Sequence, residues 1–433
     1  MLKRNCFIWL VCCCLLACIA TFQRVAAAGS EESWKFQPVS PNSFEGTDTE
    51  RIIQAIETAK TSSQMVRIPK ENANGTDIWM IDSALLLPSN MTLILDNCTL
   101  QLSDKSRDNL FRSDNVGAGI TDPGWNENIR IYGIGNAVLR GATNPRATGD
   151  GARKLSLNPQ AEQGKGNWRV SYGSDAGKPG LKQTGDWRNI MVLIGYVRDF
   201  SLKNVRFENA HGWTVSFERT VGIDVSDVTI FNQEFVTVGG QQLMTANKDG
   251  INLRQGCKNV RIDNISGETG DDFIALSNLD TAPEIPKENG EINESMVTAS
   301  RWYGPEDDIE QVVITNISCE NRYRAVAIRA SDRGGIHHVF INGVIFRARE
   351  DRYEALLIGG RGYGEESLPG KIHTIQAMNI MGNGQSLLRI QAKIADCHFF
   401  NGMYTGLNEH ATLYEIDPAE TSNVTENAWL KVR

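Results

Sequence analysis

Short runs of alternating apolar and polar residues recur along this chain, and an Asn or Asp marks the turn in each of them. Alternation with a period of two is typical of β-strands that bury one face. The turn residues stand 23, 37, 52 and 26 positions apart, so loops of variable length interrupt a shorter structural unit. The residues that mark successive copies are Asn204, Asp227, Asn264, Asn316 and Asn342.

This repeat favours a stack of parallel coils over an antiparallel sandwich. A sandwich of short strands should show Asn-Gly hairpin turns throughout the chain. Here two Asn-Gly pairs lie in polar loops, and the other three fall in the last quarter of the sequence. In a parallel β-helix each coil stacks on the next and buries its inward side chains in one continuous column. We therefore predict an all-β protein built as a single-stranded parallel β-helix.

An open column of coils needs a cover at its end, and residues 46–60 supply one. Thr47 and Glu50 have the spacing of a capping box, which marks the start of a helix. The apolar positions that follow recur at helical intervals, so the segment predicts an N-terminal capping helix with one apolar stripe. The stripe consists of Ile52, Ile53, Ile56 and Ala59.

The first 28 residues have the pattern of a signal peptide. A basic start, an apolar core and small residues follow one another, with cleavage expected after Ala28. The apolar run is short for a membrane span, so we expect no transmembrane span and a secreted or periplasmic protein. An alternative is a lipid anchor at Cys18, although Leu16 fits such a site poorly. With cleavage after Ala28, residues 29–433 are expected to form one β-helix catalytic domain.

Composition argues against several functions. Without the leader, 41 basic residues stand against 52 acidic ones, a net charge of about −11. No basic surplus is available for binding nucleic acid. The cysteines outside the leader are widely spaced and form no Cys-x-x-Cys pair, which argues against a zinc site or a dense disulfide scaffold. We expect isolated buried thiols at Cys98, Cys257, Cys319 and Cys397.

Two acidic turns lie in register in the middle of the chain. Ile251 is followed 23 positions later by Ile274, and both are expected to point into the column. Asp249 and Asp272 should therefore lie one above the other at the mouths of adjacent strands, about 4.8 Å apart. Asp271 lies alongside. Three converging carboxylates repel one another unless one is protonated, a cation lies among them, or a reaction uses them.

Two interpretations of this cluster are open from the residues alone. Asp is a favoured turn residue, and a β-helix is full of turns. Alternatively, cleavage of a glycosidic bond needs one protonated carboxyl group for the leaving oxygen and one ionised carboxylate to activate water or attack carbon. Crowded carboxylates supply that division, because like charges push their apparent pKa values apart. One exposed face of a β-helix would also form a long groove suited to a polymer chain.

Five stretches, in the expected order, resemble the polygalacturonase-type glycoside hydrolases of family 28, in the pectin-lyase-like right-handed β-helix superfamily. Residues 247–251, Asn-Lys-Asp-Gly-Ile, resemble the family's Asn-Thr-Asp-Gly-Ile, and residues 270–272 match its Gly-Asp-Asp. Residues 209–213 are similar to its Asn-Ser-Pro-x-Trp stretch. Residues 85–103 and 128–141 look like its opening coils. The resemblance implies a right-handed β-helix catalytic domain that hydrolyses glycosidic bonds.

The resemblance also implies a set of site residues. Asp249, Asp271 and Asp272 would form the catalytic carboxylates of an inverting hydrolase, with Asp271 as the general acid and the other two serving the water. We expect a polysaccharide substrate, no cofactor, no metal and a monomer. The residues expected to contact substrate are Arg329, His211 and Asn247.

Two departures from the family pattern bear on the substrate. The family carries Gly-His-Gly one coil after Gly-Asp-Asp, but no histidine occurs between His211 and His337, and an acidic loop stands there instead. The family's Arg-Ile-Lys reads Arg329-Ala330-Ser331. Loss of the lysine implies weaker recognition of a galacturonate carboxylate. We therefore expect a rhamnogalacturonan, a substituted pectin or another acidic polysaccharide rather than plain homogalacturonan.

Two other functions stay open. A calcium-dependent polysaccharide lyase would hold the ion on the aspartates against a substrate carboxylate, and Arg329 would abstract a proton. A non-catalytic carbohydrate-binding β-helix would fit the missing histidine and lysine. The loop at residues 143–188 carries eight basic against four acidic residues, so beside an acidic catalytic cluster it could supply basic contacts to an anionic chain.

Overall fold

A computed structural model describes most of the chain between residues 37 and 431. The gaps are at 107, 118–119, 121, 144–150, 153, 156–169, 172–183, 186, 211, 234, 239–240, 245–248, 280–301, 332, 351, 360–365, 409–410, 412 and 417–420. The predicted signal peptide and most of the loop at 143–188 therefore lie outside the described residues.

Helices are few and short. The α-helix α1 is Asp48–Lys60, and the 3-10 helices are Pro41–Ser43, Trp187–Asn189 and Pro305–Asp307. Within the described ranges, no helix is long and apolar enough to cross a membrane.

Strands make up the rest of the regular structure. In chain order they are β1 Met65–Ile68, β2 Ile78–Ile81, β3 Leu85–Leu87, β4 Thr92–Asp96, β5 Thr99–Leu102, β6 Phe111–Ser113, β7 Asn126–Ile134, β8 Val138–Arg140, β9 Gly151–Ala152, β10 Lys154–Leu155, β11 Val170–Ser171, β12 Thr184–Gly185, β13 Val192–Gly195, β14 Val197–Lys203, β15 Arg206–Glu208, β16 Val215–Glu218, β17 Val221–Phe231, β18 Phe235–Val238, β19 Gln241–Met244, β20 Ile251–Leu253, β21 Lys258–Thr269, β22 Ile274–Leu279, β23 Ile309–Asn321, β24 Val326–Ser331, β25 Ile336–Ala348, β26 Glu354–Gly359, β27 Ile372–Gly382, β28 Ser386–Gln391, β29 Ile394–Tyr404, β30 Tyr414–Ile416 and β31 Thr421–Lys431.

Two long parallel sheets run the length of the molecule. Sheet 1 has the order β1-β4-β7-β14-β17-β21-β23-β25-β27-β29-β31, with β2, β5, β8 and β15 beside this path. Sheet 2 has the order β3-β6-β13-β16-β20-β22-β24-β26-β28-β30. Each coil in the middle and C-terminal parts adds one strand to each sheet, and the crossovers are right-handed, as is usual for parallel strands. The prediction of a single-stranded right-handed parallel β-helix is confirmed.

Inward side chains fill the interior of the coils as continuous columns. On sheet 2, Ile251 pairs in register with Ile274, which in turn pairs with Val326, and each is at most 1% exposed. Both isoleucines were predicted to point inward. Each fully buried aliphatic side chain contributes about 1.5–3 kcal/mol, so the column fixes the register of every strand mouth beside it.

The helix α1 covers the first coil, as predicted. The backbone N–H of Glu50 donates to Thr47 Oγ1 at 3.3 Å, and the backbone N–H of Thr47 donates to Glu50 Oε2 at 2.8 Å, which completes the capping box. The apolar stripe differs at one position. Ala55 is fully buried, whereas Ile53 is 38% exposed, because it follows Ile52 by 100° around the helix and turns away from the coil.

Turn residues of sheet 1 form a second kind of column, here called the turn ladder. The backbone at each of its four positions is left-handed, with φ between 53° and 57°. Asn and Asp tolerate that region better than other residues with a Cβ. Side-chain amides link successive coils, since Asn264 Nδ2 donates to Asp227 Oδ1 at 2.7 Å. The ladder consists of Asn204, Asp227, Asn264 and Asn316.

The fifth predicted turn residue is displaced by one position. Asn342 pairs with Thr315, and the left-handed residue is Gly343, with a φ of 78°. Glycine adopts this conformation without a Cβ penalty, so the turn needs no Asn there. Asn342 still contributes a lateral contact, because its Oδ1 accepts from Asn379 Nδ2 at 2.7 Å.

All four cysteines outside the leader are buried free thiols, as predicted. Burial raises the pKa of Cys98 and Cys257 to about 12 and that of Cys397 to about 11. These thiols therefore behave as small apolar side chains.

Candidate active site

Ionisable side chains line up at the strand mouths of sheet 2, and we call this column the strand-mouth ladder. It consists of Asp249, Asp272, Arg324 and Glu354, which stand before or at the start of β20, β22, β24 and β26. The register of the buried column brings them together. Two positions after each ladder residue lies an inward side chain, and these four side chains are successive register partners: Ile251, Ile274, Val326 and Leu356. Backbone hydrogen bonds extend the pairing to the mouths: Gly250 N–H donates to Asp272 O at 3.0 Å, and Phe273 N–H donates to Arg324 O at 2.9 Å.

The spacing of 23 residues thus placed Asp249 correctly beside Asp272. Asp249 is 6% exposed. Its backbone carbonyl accepts from the N–H and from Oγ1 of Thr214, both at 2.9 Å. Asn232 Nδ2 in turn donates to Thr214 Oγ1 at 2.6 Å. The preceding coil therefore fixes the backbone from which the Asp249 carboxylate projects.

Two arginines compensate the charge of Asp272, which is only 2% exposed. Arg324 Nη1 lies 3.3 Å from Asp272 Oδ1, and Arg329 Nη2 lies 3.2 Å from Oδ2. Each carboxylate oxygen thus faces its own guanidinium group. Arg329, one of the residues expected to contact substrate, therefore lies beside Asp272.

Arg324 is shared between two carboxylates. Its Nε donates to Glu354 Oε1 at 2.7 Å, and Glu354 is 1% exposed. Burial lowers the pKa of Arg324, but the charges of Asp272 and Glu354 and the hydrogen bond to Glu354 more than offset this, so the pKa is raised overall. The guanidinium therefore stays charged and holds the two buried carboxylates in one network.

Asp271 differs from its neighbours because its side chain is only partly buried. Its Oδ1 accepts from the backbone N–H of Asp272 at 3.0 Å. Its backbone carbonyl accepts from Thr269 Oγ1 and Asn321 Nδ2, both at 2.8 Å. The turn is thus held rigidly, while the carboxyl group remains accessible at the surface of the ladder.

The outward face of sheet 2 beside the ladder is lined by small polar and apolar side chains. Ser216, Asn252, Ala275 and Ala327 are successive register partners. Ser216 and Asn252 are at most 1% exposed. Neither Ser216 Oγ nor Asn252 Nδ2 has a hydrogen-bond partner among the described residues.

Two of the predicted substrate contacts, His211 and Asn247, lie outside the described residues. Trp213, which follows His211 closely, is 5% exposed and packs in a small apolar cluster with Trp187, Ile190 and Leu193. Arg254 covers its ring, with the guanidinium carbon 5.0 Å from the ring centroid.

The coil that follows Gly-Asp-Asp differs from the expectation. The acidic loop was expected where the family has Gly-His-Gly, but β22 pairs directly with β24, so the stretch at 280–301 does not replace that coil. Extending the register of β22 and β24 places Tyr323 next to Asp271 and Arg324 next to Asp272. Arg329, three residues after the start of β24, belongs to the same coil. Because a long insertion separates β22 from β24 in sequence, the sequence did not indicate that these two strands are neighbours.

Metal binding has little support from the described residues. Among them, no group of three or more His, Cys, Asp or Glu side chains is arranged to hold a metal ion.

Comparison with known proteins finds one family model that matches part of the chain. The sequence model described as Glycosyl hydrolases family 28 matches residues 156–331, which include the three aspartates and Arg329. The matched segment is similar to glycosyl hydrolases of family 28. The predicted resemblance and the prediction of an O-glycosyl hydrolase are confirmed at that level. No curated protein sequence matches the chain.

Several solved structures are similar to this chain and share its fold. The polygalacturonase from Erwinia carotovora ssp. carotovora has a TM-score of 0.52 at 15% identity, covering 89% of this chain and 94% of its own. The Yersinia enterocolitica family 28 exopolygalacturonase has a TM-score of 0.51 at 14% identity, covering 90% and 78%. The Streptococcus pneumoniae surface protein and adhesin PfbA has a TM-score of 0.52 at 11% identity, covering 91% of each chain.

Proposed function

We propose that this protein is a secreted glycoside hydrolase that cleaves glycosidic bonds in a pectin-like or other acidic polysaccharide by an inverting acid/base mechanism. The observation that carries the proposal is the juxtaposition of Asp249, Asp271 and Asp272 at the strand mouths of sheet 2. Such a cluster can present one carboxyl group as a proton donor and others as water-activating bases.

The surroundings of the three carboxyl groups support different roles for them. Asp272 faces a guanidinium at each oxygen, a fixed geometry that suits a carboxylate orienting water. Asp271 is the most accessible of the three, and the carboxyl group of Asp272 follows it directly in the chain. Like charges favour retention of a proton on one member of a cluster. We therefore assign Asp271 as the general acid, with Asp249 and Asp272 serving the attacking water.

An acidic polymer fits the charges near the ladder. Although the chain as a whole is acidic, the side chains of Arg329 and Arg389 are 19% and 31% exposed in this part of sheet 2. Arginine binds carboxylates in a planar fork. Two of the structural relatives are polygalacturonases by name, which supports a pectin-like substrate for this chain too. The predicted leader supports secretion.

A binding protein without activity is the second candidate. One structural relative is an adhesin by name, and the tight pairing of Asp272 with two arginines would also suit a purely structural network. A calcium-dependent lyase has less support, because both oxygens of Asp272 already face positive charges and gain little from a calcium ion.

A panel of pectic polymers separates these functions. The purified protein is incubated with homogalacturonan, rhamnogalacturonan and substituted pectins, and new reducing ends are followed together with the ultraviolet absorbance of unsaturated products. A hydrolase gives reducing ends without absorbance on at least one polymer. Absorbance that a chelator abolishes would establish a lyase instead. Polymer binding with neither signal would support the adhesin-like alternative.

A further inference from the structure

A chain of alternating charge crosses four coils of sheet 2. It leads from Asp272 through Arg324 to Glu354, and Arg389 Nη1 lies 3.9 Å from Glu354 Oε2. At its other end, Arg329 Nη2 lies 3.2 Å from Asp272 Oδ2. The chain therefore begins and ends with an arginine, and each of its two carboxyl groups lies between two guanidinium groups.

Exposure is greatest at the Arg389 end of this chain. The carboxyl groups of Asp272 and Glu354 are buried, and the side chain of Arg324, which joins them, is mostly buried as well. The side chain of Arg389 is 31% exposed, more than that of Arg329. Arg389 is therefore the member of the chain that is most open to a ligand.

Both terminal arginines project from the same face of sheet 2. Arg389 lies between the buried inward residues Leu388 and Ile390, so it faces outward. Arg329 follows the fully buried Ile328 and faces outward for the same reason. Only β26 separates their strands β24 and β28 in the sheet, so the two arginines belong to coils about 9.6 Å apart.

Glu354 orients Arg389 through charge. The 3.9 Å between Arg389 Nη1 and Glu354 Oε2 exceeds the length of a hydrogen bond. The hydrogen bond of Glu354 goes instead to its Oε1, which accepts from Arg324 Nε at 2.7 Å. A guanidinium group carries five N–H donors in a planar fork that matches a carboxylate. Arg389 thus offers an oriented fork at the outward face of sheet 2.

We propose that Arg389 binds a second carboxylate of the polysaccharide, two coils beyond the one that Arg329 is expected to contact. It would supply the positive charge that the family pattern led us to expect from a lysine at the position of Ser331. This inference rests on the proposed function for its substrate class. It narrows that class to chains whose acidic sugars carry free carboxylates at both positions, because methyl esterification removes the charge that the fork recognises.

Charge compensation of Glu354 is the other role open to Arg389, and the two roles differ in one measurable ratio. A residue that only maintains the shape of the site affects the binding of every polymer equally. A residue that contacts a carboxylate affects only polymers whose carboxylates are free. The ratio of the affinities for the acid form and the methyl ester of one polymer therefore separates the two roles.

Binding experiments measure this ratio without requiring activity. The Asp271→Asn variant, which should not cleave the polymer, is the parent protein. Its affinities for de-esterified homogalacturonan and rhamnogalacturonan, and for the methyl esters of both, are measured by affinity electrophoresis at one salt concentration. Adding Arg389→Gln should lower the affinity for at least one acid form about tenfold and leave the affinity for its ester unchanged.

Arg261→Gln in the same parent is the matched control. Arg261 lies on β21 of sheet 1, where its exposed side chain also pairs with two carboxylates, and its replacement should change neither affinity. Arg389→Lys keeps a positive charge beside Glu354 but loses the planar fork, so it should lower the affinity for the acid form by a smaller factor.

Three results would overturn the inference. They are a parent protein that prefers no acid form over its ester, an acid-to-ester ratio that Arg389→Gln leaves unchanged, and, if that variant does not fold, a ratio that Arg389→Lys leaves unchanged. The proposed function fails separately. If wild type cleaves no polymer but Arg389→Gln lowers the ratio as expected, the carboxylate site stands and the hydrolase does not.

Discussion

Two polar columns run along the same coils, and acidic residues occupy both of them. In the turn ladder of sheet 1, Asp227 is exposed and accepts one amide hydrogen bond from Asn264. In the strand-mouth ladder of sheet 2, Asp272 is 2% exposed and faces Arg324 and Arg329. The repeat thus uses aspartate in one place as an ordinary turn residue and in the other as a buried charge.

This contrast separates the two interpretations of the acidic turns. A turn-forming aspartate needs only a left-handed backbone and a neighbouring donor, and water solvates its charge. A buried carboxylate costs several kcal/mol of desolvation unless it is paired. The next coil supplies that pairing from Arg324, 52 positions away in sequence, and from Arg329, which a turn alone does not require.

The largest expected effect is on activity. Asp271→Asn should reduce hydrolysis by about 10³-fold, within the range that a general acid contributes, because the amide cannot protonate the leaving oxygen. Asp227→Asn, the matched substitution in the turn ladder, should leave the rate unchanged. Initial rates of reducing-end release on the cleaved polymer measure both. Equal rates for the two variants would remove Asp271 from the mechanism.

Removal of the shared arginine should have the largest effect on stability. Arg324→Met leaves Asp272 and Glu354 without their common partner, and breaking a buried ion pair in this way costs about 3–5 kcal/mol. Arg67 pairs with Asp96 on the surface, its side chain 53% exposed, so Arg67→Met should cost less than about 1 kcal/mol.

Denaturant unfolding of the two arginine variants gives the free energies of unfolding directly. A difference of less than 1 kcal/mol between them would mean that water already solvates the strand-mouth ladder, and that its charges need no pairing.

A smaller effect is expected in the turn ladder. Asn264→Ala forces alanine into the left-handed region and removes the amide bond to Asp227, at a combined cost of about 2 kcal/mol. Asn264→Gly keeps the backbone conformation accessible and should cost about 1 kcal/mol less. Thermal or denaturant unfolding distinguishes them. If glycine destabilises as much as alanine, the amide bond rather than the backbone controls this turn.

The smallest effect concerns pH. Hydrogen bonding by Thr315, which donates to Oδ1 at 2.6 Å, is the main cause of a lowered pKa at Asp263. A lowered pKa in the folded state gives stability that is present above the ordinary value near 3.8 and lost as the pH falls through the folded value. Wild type should therefore lose more stability than Asp263→Asn between pH 5 and pH 3. Parallel pH dependences of the unfolding free energy would contradict this.

The sequence predicted those features that repeat with the coil. The pairing of Ile251 with Ile274, and hence of Asp249 with Asp272, followed from alternation and a spacing of 23 residues, because a period of two determines which side chains face inward. The capping box of α1 followed from Thr47 and Glu50, since that motif is local. The left-handed turn near Asn342 was displaced by one residue because Gly343 fits it equally well.

Features that depend on contacts between distant coils were not predicted. The long insertion between β22 and β24 concealed that these strands are neighbours, so Tyr323 was not recognised beside Asp271. Arg324 and Glu354 had no motif to mark them. Each of them lies two residues before an inward apolar residue of its strand, as Asp272 does one or two coils earlier. This shared position is the signal that could have identified them.

The stereochemistry of cleavage tests the central claim most directly. Proton NMR of the reaction in D₂O identifies the anomer of the first product before it equilibrates. The account predicts that the new reducing end has the configuration opposite to that of the cleaved bond, because water, activated by Asp249 and Asp272, attacks the far face while Asp271 protonates the leaving oxygen. Retention of configuration would contradict it, since an aspartate would then attack the sugar carbon itself.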